Sequence, residues 1–121
     1  MNIETALKET MTLDGALGAA LVDYESGMTL GMIGGGNELN LELAAAGNTE
    51  VVRAKARTLA SLGIQDSVED ILITLTRQYH LIRMLRSTGG SLFLYLALDR
   101  QRANLALARH SLRQIENSLQ L

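Results

Sequence analysis

The residues that could carry chemistry are few, and the most suggestive of them form a run of three glycines. Gly34, Gly35 and Gly36 precede a segment with helical periodicity, and a glycine-rich turn before a helix can hold a phosphate against main-chain N–H groups. A loop of the P-loop type also needs lysine followed by serine or threonine, whereas Asn37 and Glu38 follow here. Because Glu38 would repel a phosphate, we interpret the run as a flexible turn between strand and helix.

The ionisable side chains are not spaced like a catalytic or metal site. His80 and His110 have no second histidine at ligand spacing, and the sequence contains no cysteine. Glu69 and Asp70 are neighbours that would point to opposite faces of a strand, and residues 66–70 lack the spacing of a calcium loop. No Gly-x-Ser-x-Gly motif occurs. We therefore predict no catalytic residue, no metal and no cofactor, and expect that the protein is not an enzyme.

Composition limits the class of protein. The chain has 121 residues, 47% hydrophobic and 20% charged, which predicts a single folded domain over residues 1–121. A net charge of −2 argues against nucleic-acid binding, which requires an excess of lysine and arginine. The N-terminus does not resemble a secretory signal, and the longest apolar run, residues 92–98, is too short to cross a membrane. We expect a cytoplasmic protein with no membrane insertion.

Hydrophobic periodicity predicts eight elements in the order α-β-β-α-β-β-β-α. Asn2 is the expected N-cap of the first helix, Gly63 is expected to end the middle helix, and Asp99 is expected to cap the last. The middle helix is predicted at residues 39–62, and a turn at residues 87–90 is predicted between the last two strands. The five strands are predicted at residues 17–23, 28–33, 68–76, 80–86 and 92–98.

The fold class follows from the last predicted strand. Residues 92–98 are apolar at both odd and even positions, so this strand must be covered on both faces. Hairpin connections between neighbouring strands imply a mainly antiparallel sheet. We predict a three-layer α/β/α sandwich with a five-stranded sheet, in which the first and last helices share one face and the middle helix covers the other.

The middle helix has more apolar surface than a sheet can cover. A stripe about 100° wide is enough to pack a helix on a sheet. That stripe is supplied by Leu41, Ala45, Val52, Ala56 and Leu59.

A second side of the same helix carries Leu43, Ala46, Gly47 and Ala54. An exposed apolar patch indicates an interface, and small residues permit close approach of another helix. The alternative is that alanine is simply a good helix former that tolerates exposure. Glycine costs about 1 kcal/mol relative to alanine inside a helix, so propensity does not explain Gly47.

Three stretches of the sequence resemble the roadblock/LC7 family. They are residues 15–23 with the Ser26-Gly27 hairpin that follows, residues 42–45, and residues 104–109. The resemblance covers almost the whole chain. It implies a profilin-like fold and a homodimer in which two protomers pair through the long helix and the edge strand at residues 68–76.

The resemblance also implies a non-catalytic protein that binds a small Ras-like GTPase or another signalling or cytoskeletal protein. We consider two alternatives, a constitutive adaptor in a multiprotein complex without a GTPase and, less favoured, a small-molecule sensor. Several arginines lie near the proposed dimer side, but none is marked as an arginine finger: Arg53, Arg57, Arg77, Arg83 and Arg86. The predicted dimer or partner interface comprises Leu43, Ala46, Gly47, Glu50, Ala54, Arg57, Ile71 and Ile73.

Overall fold

The computed structural model describes residues 1–86 and 90–120, and its elements occur in the predicted order. Residues 87–89 of the turn predicted at 87–90 lie outside the described residues. The elements are α1 (Ile3–Met11), β1 (Ala16–Asp23), β2 (Met28–Gly34), α2 (Leu41–Ser61), β3 (Asp70–Thr74), β4 (Gln78–Met84), β5 (Leu92–Asp99) and α3 (Leu105–Ser118).

The five strands form an antiparallel sheet in the order β2-β1-β5-β4-β3. Helices α1 and α3 pack on one face and α2 packs on the other, which confirms the predicted three-layer sandwich. The last strand in sequence is therefore the central one, and β2 and β3 are the two edges. These edges are the places where the sheet can be extended.

Strand β5 supplies both hydrophobic cores, which explains why it is apolar throughout. Its alternate residues divide between the cores: Leu94, Leu96 and Leu98 on the α1/α3 side, and Phe93, Tyr95 and Ala97 on the α2 side. All six side chains are buried. Successive side chains of a strand point to opposite faces of the sheet. The even-numbered residues of β5 therefore face α1 and α3, and the odd-numbered residues face α2.

The prediction that Asp99 caps the last helix is wrong. The N-cap is Asn104, whose side-chain oxygen accepts a hydrogen bond from the Leu107 N–H at 3.0 Å. Asp99 instead closes β5, where its N–H donates to the Gly15 carbonyl at 2.8 Å and its carboxylate accepts from the Gln101 N–H at 3.0 Å. A turn therefore separates strand from helix, and the asparagine next to the helix takes the capping role.

One charged residue lies elsewhere than predicted. Arg83, expected near the dimer side, lies against α3 and contacts the buried Glu116. The Arg83 Nη2 and Glu116 Oε1 atoms are 2.9 Å apart, so each buried charge is stabilised by the other. This ion pair fastens α3 to β4 and removes Arg83 from the candidate partner surface.

The three glycines at the end of β2 form the expected connection from strand to helix. Gly34, Gly35 and Gly36 have φ angles of +75°, +82° and +103°, in a region that residues with a Cβ rarely adopt. The Gly35 N–H donates to the Leu17 carbonyl at 2.9 Å, which ties the turn to β1. The glycines are thus needed for the path of the chain into α2.

Candidate protein interaction surface

Helix α2 is buried against the sheet only along its first half. Its buried residues are Leu41, Ala45, Asn48, Thr49 and Val52. The predicted packing stripe extended to Ala56 and Leu59, but Ala56 is exposed and Leu59 is half-buried. The second half of α2 stands away from the sheet with an open hollow along each flank, so the predicted stripe is correct as far as Val52 and wrong beyond it.

The predicted interface residues of α2 share the side that faces away from the sheet. Leu43 is 71% exposed, the highest value among the large hydrophobic side chains of the described residues. Each of the six is exposed: Leu43, Ala46, Gly47, Glu50, Ala54 and Arg57. The structure therefore places them together on one surface, which we call the α2 outer stripe, and their role in binding stays a prediction.

A groove separates α2 from the β3 edge. It has a volume of about 870 Å³ and a mainly apolar lining. Of the two β3 residues predicted for the interface, Ile71 lines this groove, whereas Ile73 lies further along the strand and does not. Both are half-buried. The lining also includes Val51, Ala54, Thr58, Ile64 and Val68.

Sequence reasoning missed several of these groove residues. Val51 and Thr58 were not in the predicted interface, although both share the helix flank of Ala54. Helical spacing could have identified Val51, because it lies four residues after Gly47 and three before Ala54, which places it beside both on the helix surface. Ile64 and Val68 lie in the connection after α2, although Val68 was predicted to be the first residue of the edge strand, which begins at Asp70 in the structure.

A partly buried polar cluster lies beneath α2. The Tyr95 hydroxyl lies 3.2 Å from His80 Nδ1, and His80 Nε2 lies 2.7 Å from Gln78 Oε1. Burial raises the pKa of Tyr95 to about 12, against the opposite effect of a hydrogen bond from Asn48. Burial also lowers the pKa of His80. Both groups are therefore neutral at neutral pH, and they join α2, β4 and β5.

Arg53 fastens the middle of α2 to the hairpin between β1 and β2. Its Nε donates to the Tyr24 carbonyl at 2.9 Å, and its Nη2 donates to the Glu25 carbonyl. Its Nη1 lies 3.3 Å from Glu50 Oε1. Because the guanidinium has these partners, Arg53 acts as a structural link between helix and hairpin.

Metal-binding clusters and membrane-spanning helices are both absent from the described part of the chain. Within residues 1–86 and 90–120, no group of three or more histidine, aspartate or glutamate side chains is placed to hold a metal ion. Over the same ranges, no helix is long and apolar enough to cross a membrane.

Comparison with solved structures identifies the fold. No protein-family model and no curated protein matches the sequence. A roadblock/LC7 domain from Streptomyces avermitilis superposes with a TM-score of 0.82 at 12% identity, covering 98% of this chain and 94% of that one. The gliding protein MglB from Thermus thermophilus gives 0.76 at 19% identity, covering 93% and 82%. An MglB described as having a tetrameric arrangement gives 0.79 at 19% identity, covering 95% and 82%.

The chain therefore has the roadblock/LC7 fold over nearly its whole length. The resemblance noted in the sequence is confirmed at the level of fold. At these identities the likeness shows the fold alone and does not extend to the individual residues of the α2 outer stripe.

Proposed function

We propose that this protein is a non-catalytic homodimer that binds a small Ras-like GTPase in the cytoplasm and acts as its regulator or scaffold. The observation that carries the proposal is the α2 outer stripe, where Leu43 is 71% exposed on a helix of small and apolar residues. The sequence resemblance to roadblock/LC7 proteins supports this class of partner. Recognition would depend on the shape of the GTPase, which differs between its GDP and GTP states.

The groove beside β3 supports the homodimer. In a two-fold pair, α2 of a second copy could enter the groove, and β3 could pair with its counterpart to continue the sheet. Ala54 lines the groove, and Gly47 lies two turns earlier on the same flank. A structure with the same fold is described as tetrameric, so the fold is compatible with self-association.

This arrangement divides the predicted interface between two tasks. Gly47, Ala54 and Ile71 would meet the second protomer, since they lie at or near the groove. Leu43 and Arg57 are exposed and do not line the groove, so they would remain available to the GTPase. The two tasks can therefore be tested separately by substitution.

Dimer formation is tested by Ala54→Arg, which places a long charged side chain at the edge of the groove. We expect the wild-type chain to have twice its 13.1 kDa mass in solution, and the variant to have the monomer mass. Light scattering during size-exclusion chromatography measures both. Gln114→Arg, on the exposed side of α3, is the matched control and should stay dimeric. A monomeric wild-type protein at micromolar concentration would contradict the homodimer.

GTPase binding is tested by capturing partners from the host lysate on the immobilised protein, once with GDP and once with a non-hydrolysable GTP analogue. We expect a small GTPase, identified by mass spectrometry, in only one of the two samples. Leu43→Glu should reduce its capture at least about tenfold while leaving the dimer mass unchanged, because a charge at the centre of an apolar contact is costly. Partners that are captured equally in both samples, with no GTPase among them, would instead indicate a constitutive adaptor.

A further inference from the structure

The first half of α2 is joined to the sheet by a chain of hydrogen bonds. Asn48, a buried amide on the underside of the helix, bonds to the Tyr95 hydroxyl. That hydroxyl lies 3.2 Å from His80 Nδ1, and His80 Nε2 lies 2.7 Å from Gln78 Oε1. The rings of His80 and Tyr95 also meet edge to face, with their centres 5.4 Å apart. The chain links one helix to two strands, and we call these four residues the His80 latch.

The hydrogen bonds of the His80 latch require a neutral imidazole. Because Gln78 Oε1 has no proton to donate, Nε2 carries the proton and Nδ1 accepts from the Tyr95 hydroxyl. The Tyr95 oxygen in turn accepts from the Asn48 amide, and this bond acts to lower the pKa of Tyr95. A protonated imidazole would donate from both of its nitrogens. The proton of the buried Tyr95 hydroxyl would then lose its acceptor.

The elements packed against His80 present uncharged residues to it. Its cross-strand neighbours are Ile73 of β3 and Ala97 of β5. The buried residues of α2 are also uncharged: Leu41, Ala45, Asn48, Thr49 and Val52. Charged groups occur beyond Gln78, in a hollow lined by two carboxylates and two guanidinium groups, those of Glu38, Asp99, Arg77 and Arg100. Their charges balance, so they do not compensate a proton on His80, and burial is the cause that lowers its pKa.

We propose that the His80 latch is a pH-sensitive attachment of α2, which is closed while the imidazole is neutral and opens when His80 is protonated. The second half of α2 already stands away from the sheet, so the contacts between Leu41 and Val52 position the whole helix. Opening the latch would loosen these contacts and displace the α2 outer stripe. The latch lies within one chain, so it does not depend on the proposed dimer or on the proposed GTPase.

The first test compares urea unfolding of the wild type and His80→Asn at about pH 7.5 and about pH 5. The asparagine oxygen can accept from Tyr95 as Nδ1 does, but it takes no proton. An unfolded histidine is protonated below its usual pKa of about 6.5, whereas folded His80 resists protonation, so stability present at the higher pH is lost as the pH falls. Between the two pH values, we expect the unfolding constant of the wild type to rise at least about threefold more than that of the variant.

His110→Asn is the matched control, because His110 is exposed on α3, and it should follow the wild type. An equal pH response of the wild type and His80→Asn would overturn the proposal.

Amide hydrogen exchange of the ¹⁵N-labelled wild-type protein locates the change without any variant. After correction for the intrinsic pH dependence of exchange, acidification should lower the protection of residues 44–52 at least about threefold more than that of α3. This loss should follow the titration of the His80 imidazole. A loss of protection spread evenly over the chain, or none in α2, would overturn the proposal. Ala54→Arg should behave like the wild type, and an effect that disappears in this variant would also overturn it, by assigning the pH response to a second copy.

Discussion

Replacing Gly35 with alanine is expected to lower the free energy of unfolding by about 4 kcal/mol. The residue has φ +82°, where a side chain is strained, and this strain costs about 1–3 kcal/mol. The new Cβ would also lie 2.7 Å from the Leu39 carbonyl oxygen and 3.1 Å from Leu41 Cγ. Because the nearest obstacle is the main chain of Leu39, just before α2, relief requires the segment that leads into the helix to move. Urea unfolding followed by circular dichroism measures the loss.

Gly36→Ala is the matched control for this prediction. Gly36 also has a positive φ, +103°, but a Cβ there would meet no atom within 4 Å. The expected loss is therefore the backbone strain alone, about 2 kcal/mol. Equal losses at the two positions would contradict the close approach of Gly35 to the helix start.

Removing the charge of Arg83 should have an effect of similar size. The Arg83 side chain is 11% exposed and that of Glu116 is 8% exposed, with Arg83 Nε and Nη2 at 3.1 and 2.9 Å from Glu116 Oε1. Arg83→Met is expected to cost about 3 kcal/mol, because the buried carboxylate loses the charge that compensates it. The same urea experiment measures the change.

Two comparisons separate this effect from a general loss of packing. Glu69 also contacts Arg83, at 3.3 Å, but its side chain is 65% exposed, so Glu69→Gln should cost less than about 0.5 kcal/mol. The double variant Arg83→Met with Glu116→Leu should recover most of the lost stability, since no buried charge remains at the pair. If the double variant is as unstable as Arg83→Met alone, the loss of stability comes from altered side-chain packing and not from the uncompensated charge.

The layers of the fold could be predicted from the sequence because they depend on local periodicity. Strand β5 is apolar at both parities, and it lies between two helix layers. The N-cap at Asn2 was also predictable, and its side chain accepts from the Thr5 N–H at 2.9 Å. The apolar pattern of β5 and the N-cap at Asn2 both depend on residues that are close together in the chain, so their spacing can be read from the sequence.

Features that depend on distant elements could not be predicted in the same way. Glu116 occupies a polar position of α3 by spacing, and the approach of Arg83 from β4 makes its burial favourable. The candidate site shows the same limit. Exposure of Leu43 was predictable from the surplus apolar side of α2, whereas the groove depends on where α2 leaves the sheet.

The central position of β5 has a consequence for how the chain becomes folded during synthesis. Ala20 of β1 pairs with Tyr95, so the N-terminal hairpin leaves the ribosome long before the strand that completes its sheet. Both cores lack their central side chains until β5 has emerged. Until then, the first hairpin and α2 expose apolar surface. The step that completes the fold brings together residues that are far apart in sequence. Nascent chains that end before β5 are the forms of this protein that most need protection by chaperones.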